Sequence, residues 1–168
     1  LSDVTLASPL FGMSFDLTAG RGEAEVNLAA TGHSPAAVLD SLAGRWRAAL
    51  RDGVLTGFDL AAAAAAPDEA AVRRALTSGA TAFERLEANG TVRAGVVRVE
   101  EGRLTTDGGA SAAISGEASL PRGVMDLRVR ARPAAPDAPE IGLRATGAVE
   151  APRVEPEVEA WVRWREGR

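Results

Sequence analysis

The 168-residue sequence has no cysteine, no lysine, no tyrosine and a single histidine, His33. Without cysteine there is no disulfide framework, no thiolate metal site and no thiol nucleophile. Without lysine there is neither a Schiff-base amine nor a phosphate loop of the Walker A kind. One histidine excludes multi-histidine metal sites, and a histidine-based triad would have to use His33. Aromatic residues make up only 4% of the chain, so the core must be built from Val and Leu with a few Phe and Trp. No apolar run reaches the roughly 18 residues that a membrane-crossing helix needs. The longest, from Leu60 to Ala66, is short and almost all alanine. The net charge is −4, which argues against binding nucleic acid and against polybasic docking on anionic lipid.

What is present is globular in composition: 46% apolar residues and 25% charged. The length is that of one domain, 1–168. The chain opens on Leu1 without methionine and reads as a segment of a longer protein. Period-2 alternation dominates it. In Gly12–Gly20, Met13, Phe15, Leu17 and Ala19 share one side; in Glu23–Thr31, Ala24, Val26, Leu28 and Ala30 do so. Gly20-Arg21-Gly22 between them reads as a hairpin turn, as does Asp52-Gly53 between Arg45–Arg51 and Gly53–Phe58. Strands at Leu86–Arg93 and Val96–Leu104 flank Ala94-Gly95, and strands at Ala110–Leu120 and Val124–Arg132 flank Pro121-Arg122-Gly123. Ile141–Val149 completes the set, after a proline-rich loop at Pro133–Glu140.

Three helices are predicted. Ser34 fits an N-cap and Pro35 the first helical position, followed by an apolar stripe of Val38, Leu39 and Leu42. A second helix spans Pro67–Ser78, with Glu69 and Arg73 spaced as an i,i+4 ion pair. A terminal helix lies within 154–168, where Val154, Val158, Trp161 and Val162 have helical spacing. The expected class is mainly β: a curled antiparallel sheet, a meander of about 8–10 strands, with two or three short helices.

Candidate chemistry is sparse. His33 adjoins Ser34, but that hydroxyl is better used as a cap. Asp16, Asp52, Asp59, Asp107 and Asp126 fall in turns or at water-facing strand positions rather than pairing for hydrolysis. Gly20-Arg21-Gly22 lacks the third glycine of a dinucleotide fingerprint. No catalytic residue, metal ligand or cofactor is assigned. Trp161 and Trp164 read as a helix docking its Trp161 side on the sheet.

Three stretches taken in order resemble a known family. The first is Ser34-Pro35-Ala36-Ala37-Val38-Leu39-Asp40-Ser41-Leu42-Ala43-Gly44, leading to Leu50-Arg51-Asp52-Gly53-Val54-Leu55-Thr56-Gly57-Phe58-Asp59-Leu60. The second is Thr81-Ala82-Phe83-Glu84-Arg85-Leu86, leading to Gly95-Val96-Val97. The third runs from Gly116-Glu117-Ala118-Ser119-Leu120 through Met125–Val129 to Gly147–Val154. Together, over about Gly12 to Pro156, they resemble the C-terminal domain of AsmA-like bacterial envelope proteins, which are related to the TamB-like bridges. Ala82 stands where that pattern often has proline.

The resemblance implies a periplasmic segment of a protein anchored in the inner membrane, with no enzymatic role, serving phospholipid movement between membranes and outer-membrane biogenesis. Phospholipid is the implied ligand. On this reading Phe15, Leu17, Val26, Leu28, Ile114, Leu127, Val129 and Leu143 line an apolar trough, with Arg128 or Arg130 at a rim for the headgroup. The same periodicity also fits a closed core capped by helices. The alternative function is a module that docks envelope proteins, or a second copy, by strand addition at a sheet edge. Which holds depends on whether Val38, Leu39 and Leu42 of the first helix plug the apolar face.

Overall fold

A computed structural model describes residues 17–18 and 21–168. It holds β1 (Leu17–Thr18), β2 (Arg21–Ala29), α1 (Pro35–Ser41), β3 (Ala43–Thr56), α2 (Leu60–Ala65), α3 (Glu69–Ala75) and β4 (Ala80–Arg93). Then follow β5 (Val96–Thr105), β6 (Ser111–Ser119), β7 (Val124–Arg132), β8 (Ile141–Ala148), β9 (Arg153–Glu157) and α4 (Glu159–Glu166). All strands join one antiparallel sheet, with β3 to β9 in chain order and β1 and β2 both on the outer side of β3. The chain is mainly β, as expected, but the sheet is open rather than curled.

Arg21 and Gly22, and Asp52-Gly53, read as turns from sequence, lie in strands instead. Leu17 faces Leu55 and Arg21 faces Arg51, so β1 and β2 follow one register along β3 and do not pair with each other. Gly20 lies outside the described residues; among those described, the expected hairpin pairing is replaced by pairing of both segments with the 14-residue β3. Asp52-Gly53 lies inside β3, where Asp52 adopts φ 53°. That left-handed residue shifts the alternation, so Leu50 and Gly53 are both buried with an exposed pair, Arg51 and Asp52, between them. In β4 the same shift separates buried Phe83 from half-buried Leu86. Ala94-Gly95 does form the expected hairpin, with φ 49° and 72°, the two positive values of a type I′ turn.

Ser34 caps α1 as expected, its Oγ accepting from the Ala37 N–H at 3.2 Å. The expected helix at Pro67–Ser78 is shorter, Glu69–Ala75, capped by Asp68, and Glu69 and Arg73 meet at 2.8 Å. The alanine run before it is a further helix, α2, whose cap Asp59 accepts from Ala62 N–H at 2.8 Å. The terminal helix starts at Glu159, not within 154–157. Those residues extend as β9, because Val154 and Pro156 alternate with Glu155 and Glu157 and pair with β8.

The core has two linked parts under the helices. Leu50, Phe58, Leu60, Phe83, Leu104, Ala112 and Ala131 form one. Ala63, Ala66, Val72, Ala75, Leu76, Ile141, Leu143, Val158 and Trp161 form the other, in which α2, α3 and α4 meet β8. Arg73 ties these helices together, donating to the Pro156 carbonyl at 3.1 Å and lying 3.6 Å from Glu159.

Candidate functional site

Directly opposed residues of an antiparallel sheet point to the same side, so the register sorts the two faces. One row across the sheet reads Leu50, Leu86, Leu104, Ala112, Ala131, Ile141. It is the covered row: Leu104 is 0% exposed and Ile141 1%. The next row is Ala24, Ala48, Ala88, Gly102, Ile114, Val129, Leu143, Pro156. Beyond it come Val26, Trp46, Gly90, Val99, Gly116, Leu127, Ala145, Val154, and then Leu28, Gly44, Val92, Val97, Ala118, Met125, Gly147.

One insertion keeps these rows in phase. Asn89 pairs with Glu101 but Gly90 with Val99, so Glu100 is an extra residue, a β-bulge. Without it Leu104 would turn to the wet face, because a one-residue slip inverts every later side chain.

The face is therefore divided. Helices α2, α3 and α4 cover the row from Leu50 to Ile141 and the β8 side, where Leu143 is 4% exposed and Val129 packs against both core clusters. In the three rows beyond that covered row, no residue of β2 to β6 belongs to either core cluster. In these rows Val26 is 59% exposed and Leu28 42%, Ile114 and, on β7, Leu127 are half-buried, and Val92 is buried. Helix α1 does not plug this region: none of its residues is buried, and Val38 and Leu39 remain exposed. It sits at the end of the sheet instead, where the Leu42 carbonyl accepts from the Gly95 N–H at 3.0 Å.

Of the trough residues expected from sequence, Val26 and Leu28 thus lie on the open part and Ile114 and Leu127 at its middle, while Leu143 belongs to the core. Phe15 lies outside the described residues, and of Leu17 only the register opposite Leu55 is described. Trp46 was missed. It stands in the row of Val26 and lies across Gly90, where a Cβ would come 3.1 Å from its Cε2. A large ring over a strand glycine fills the space that the missing side chain leaves. Its Nε1 is buried and has no hydrogen-bond partner among the described residues. The alternation of Trp46, Ala48 and Leu50 was the available signal.

The opposite face is polar. Arg98 and Glu117, directly opposed, meet at 2.9 Å, and Arg132 meets Glu140 at 2.9 Å. Arg144 forms a fork on Asp126 at 3.1 and 2.8 Å, which holds the Asp126 carboxyl below the usual carboxylate range and raises the guanidinium. Arg128 faces Ser115 and Arg144, and Arg130 faces Ala113 and Gly142, so both stand on the polar face and neither rims the apolar one. His33 is exposed, Asp59 is a helix cap and Asp126 is spent on Arg144. Among the described residues no group of three or more acidic or histidine side chains is placed to hold a metal, and no helix is long and apolar enough to cross a membrane.

Comparison with known families matches residues 9–101, more than half of the chain, to the AsmA family. This chain belongs to the AsmA family. The match takes in the first two stretches of the sequence resemblance and stops before the third, at Gly116–Val154. No match is found with curated proteins or with solved structures. AsmA is a bacterial envelope family not known as enzymatic, and membership suggests involvement in envelope and outer-membrane assembly.

Proposed function

We propose that this AsmA-family chain offers the open half of its apolar face to the acyl chains of phospholipid, as a passive, non-enzymatic surface within the periplasm. On this reading its parent is anchored in the inner membrane, and the surface serves lipid movement during outer-membrane assembly. The observation that carries the reading is the apolar field over β2 to β7 that lies outside the two core clusters, with Val26 59% and Leu28 42% exposed beside half-buried Trp46, Ile114 and Leu127. Contiguous exposed apolar surface marks interaction sites in proteins that are otherwise covered. Each methylene kept from water contributes about 0.8 kcal/mol, so a stretch of acyl chain along these rows is held without any chemistry. The exposed turn residue Arg122, at the α1 end, is the guanidinium group that meets an anionic headgroup.

Native mass spectrometry of the chain purified from bacterial cells, with lipid extraction of the same sample, tests this. Co-purified phospholipid near one per chain, lost in Leu28→Arg with the far-UV circular dichroism unchanged, is the expected result. A folded chain free of lipid overturns it. A second reading, docking by strand addition, is favoured by one observation, the outer edge of β2, which has no strand partner among the described residues.

A further inference from the structure

The two edges of the sheet are built differently. At one end β9 is five residues long, contains Pro156 and runs into α4. Shortness, proline and a following helix are the devices that blunt an edge against further pairing. At the other end β2 is nine residues long, has no proline, and among the described residues pairs only with β3. Every residue from Glu23 to Ala29 is exposed. Its outer row of backbone donors and acceptors is therefore a template for one more strand.

The side chains of β2 specify what that strand must be. Ala24, Val26 and Leu28 continue the apolar face, and Glu23 and Glu25 stand on the polar one. Glu23 faces Ala49 across the β3 pairing and Glu25 faces Arg47, yet neither carboxylate is held in an ion pair among the described residues. The strand β3 shows what β2 accepts on its inner side, an alternation of arginine (Arg45, Arg47, Arg51) with Trp46, Ala48 and Leu50. A second copy fits less well: with two β2 strands fully overlapped antiparallel, Glu25 stands against Glu25, and directly opposed like charges destabilise a sheet.

We infer that the outer edge of β2 takes an extended segment of another protein in which basic residues, facing Glu23 and Glu25, alternate with apolar ones that prolong the open face. This rests on the strand-addition reading and is independent of lipid binding.

The test uses the 168-residue chain and two nine-residue peptides, one alternating valine with arginine and one alternating valine with glutamate. Amide hydrogen exchange across 21–29 is followed with each, and affinities are measured by fluorescence anisotropy. The arginine peptide is expected to slow exchange in β2 and the glutamate peptide not to. The double variant Glu23→Arg, Glu25→Arg, at two exposed positions, should invert the preference by about ten-fold, from the energies of opposed charge pairs. Equal binding of both peptides, or protection outside β2, overturns the basic partner and leaves strand addition standing. No binding by either peptide, or β2 amides already slow in the free chain, overturns strand addition itself. A dimer that forms with concentration and protects β2 overturns the separate partner in favour of a second copy.

Discussion

Truncating one leucine in each half of the apolar face distinguishes a divided face from a closed one. Leu143 is 4% exposed and packs in the cluster that contains Val72, Ile141, Val158 and Trp161. Leu143→Ala removes buried methyl groups and leaves a void beneath α3 and α4, a change that costs about 3 kcal/mol. At about 2–4 °C per kcal/mol for a chain of this length, the melting temperature should fall by roughly 6–12 °C. Leu28 is on the same face but 42% exposed, on an edge strand. Full burial of a leucine stabilises by roughly 1.5–3 kcal/mol. With little more than half of that burial, and an alanine retained, Leu28→Ala should cost less than about 1 kcal/mol, or under roughly 4 °C. Thermal unfolding followed by far-UV circular dichroism reads both, and urea titration checks that the slope is unchanged. Two drops of equal size would refute the reasoning, because they would mean that Leu28 is covered in solution as Leu143 is.

Two further substitutions probe how the cover and the wet face are held. Thr81 is buried, and its Oγ1 accepts from the Leu60 N–H at 3.1 Å while donating to the Phe58 carbonyl at 2.8 Å. Thr81→Val keeps the shape but removes the acceptor at the start of α2, so urea unfolding should show a loss of about 1–3 kcal/mol; an unchanged midpoint would mean that α2 does not depend on this link. The Asp126 carboxyl is depressed by Arg144, so its stabilising contribution is full above the unfolded value of roughly 3.9 and fades as pH falls through the lower folded one. Asp126→Asn should therefore be less stable than the parent at pH 6, with the difference shrinking as pH falls below roughly 3.9. The difference is small for so exposed a pair, and one that grows toward acid would contradict the assignment.

Much of the fold was legible because period 2 is a strong signal in long strands. The hairpin at Ala94-Gly95, the β6–β7 and β7–β8 pairings and the Ser34 cap all follow from local chemistry. What was not legible was non-local. Asp-Gly favours positive φ wherever it stands, and only the length of β4 opposite shows that Asp52-Gly53 kinks a strand rather than closing a turn. The alanines of α2 have no periodicity of their own, so the helix depends on Asp59, Thr81 and burial of Leu60 and Ala63. Val154 fits helical spacing with Val158 and also strand spacing with Pro156, and pairing with β8 decided for the strand. The candidate site was half legible: Val26, Leu28, Ile114, Leu127, Val129 and Leu143 share one face by register, but where the helices stop covering it depends on how the segment between β3 and β4 and the terminal helix α4 fold back.

That partition has a consequence for how the surface can be used. The covered row from Leu50 to Ile141 contains Leu104 and Ile141, and it joins the clusters that hold Trp161, Leu76 and Val72. Folding free energy is concentrated there. The open rows are different in kind. They carry glycine and alanine at Gly44, Gly90, Gly116, Ala24, Ala48, Ala88 and Ala118, which contribute little buried area to the fold. Of the large residues there, Val26 and Leu28 remain largely in water, while Val92 and Met125 are buried. Stability and exposure are thus assigned to separate parts of one sheet, so the open part can be occupied or emptied without unfolding the rest. The bulge at Glu100 is what allows one strand to serve both, since it sets Val97 and Val99 on the open rows and Leu104 in the core. A surface that binds apolar ligand reversibly requires such a division, because a face whose exposure destabilised the fold would close on itself instead.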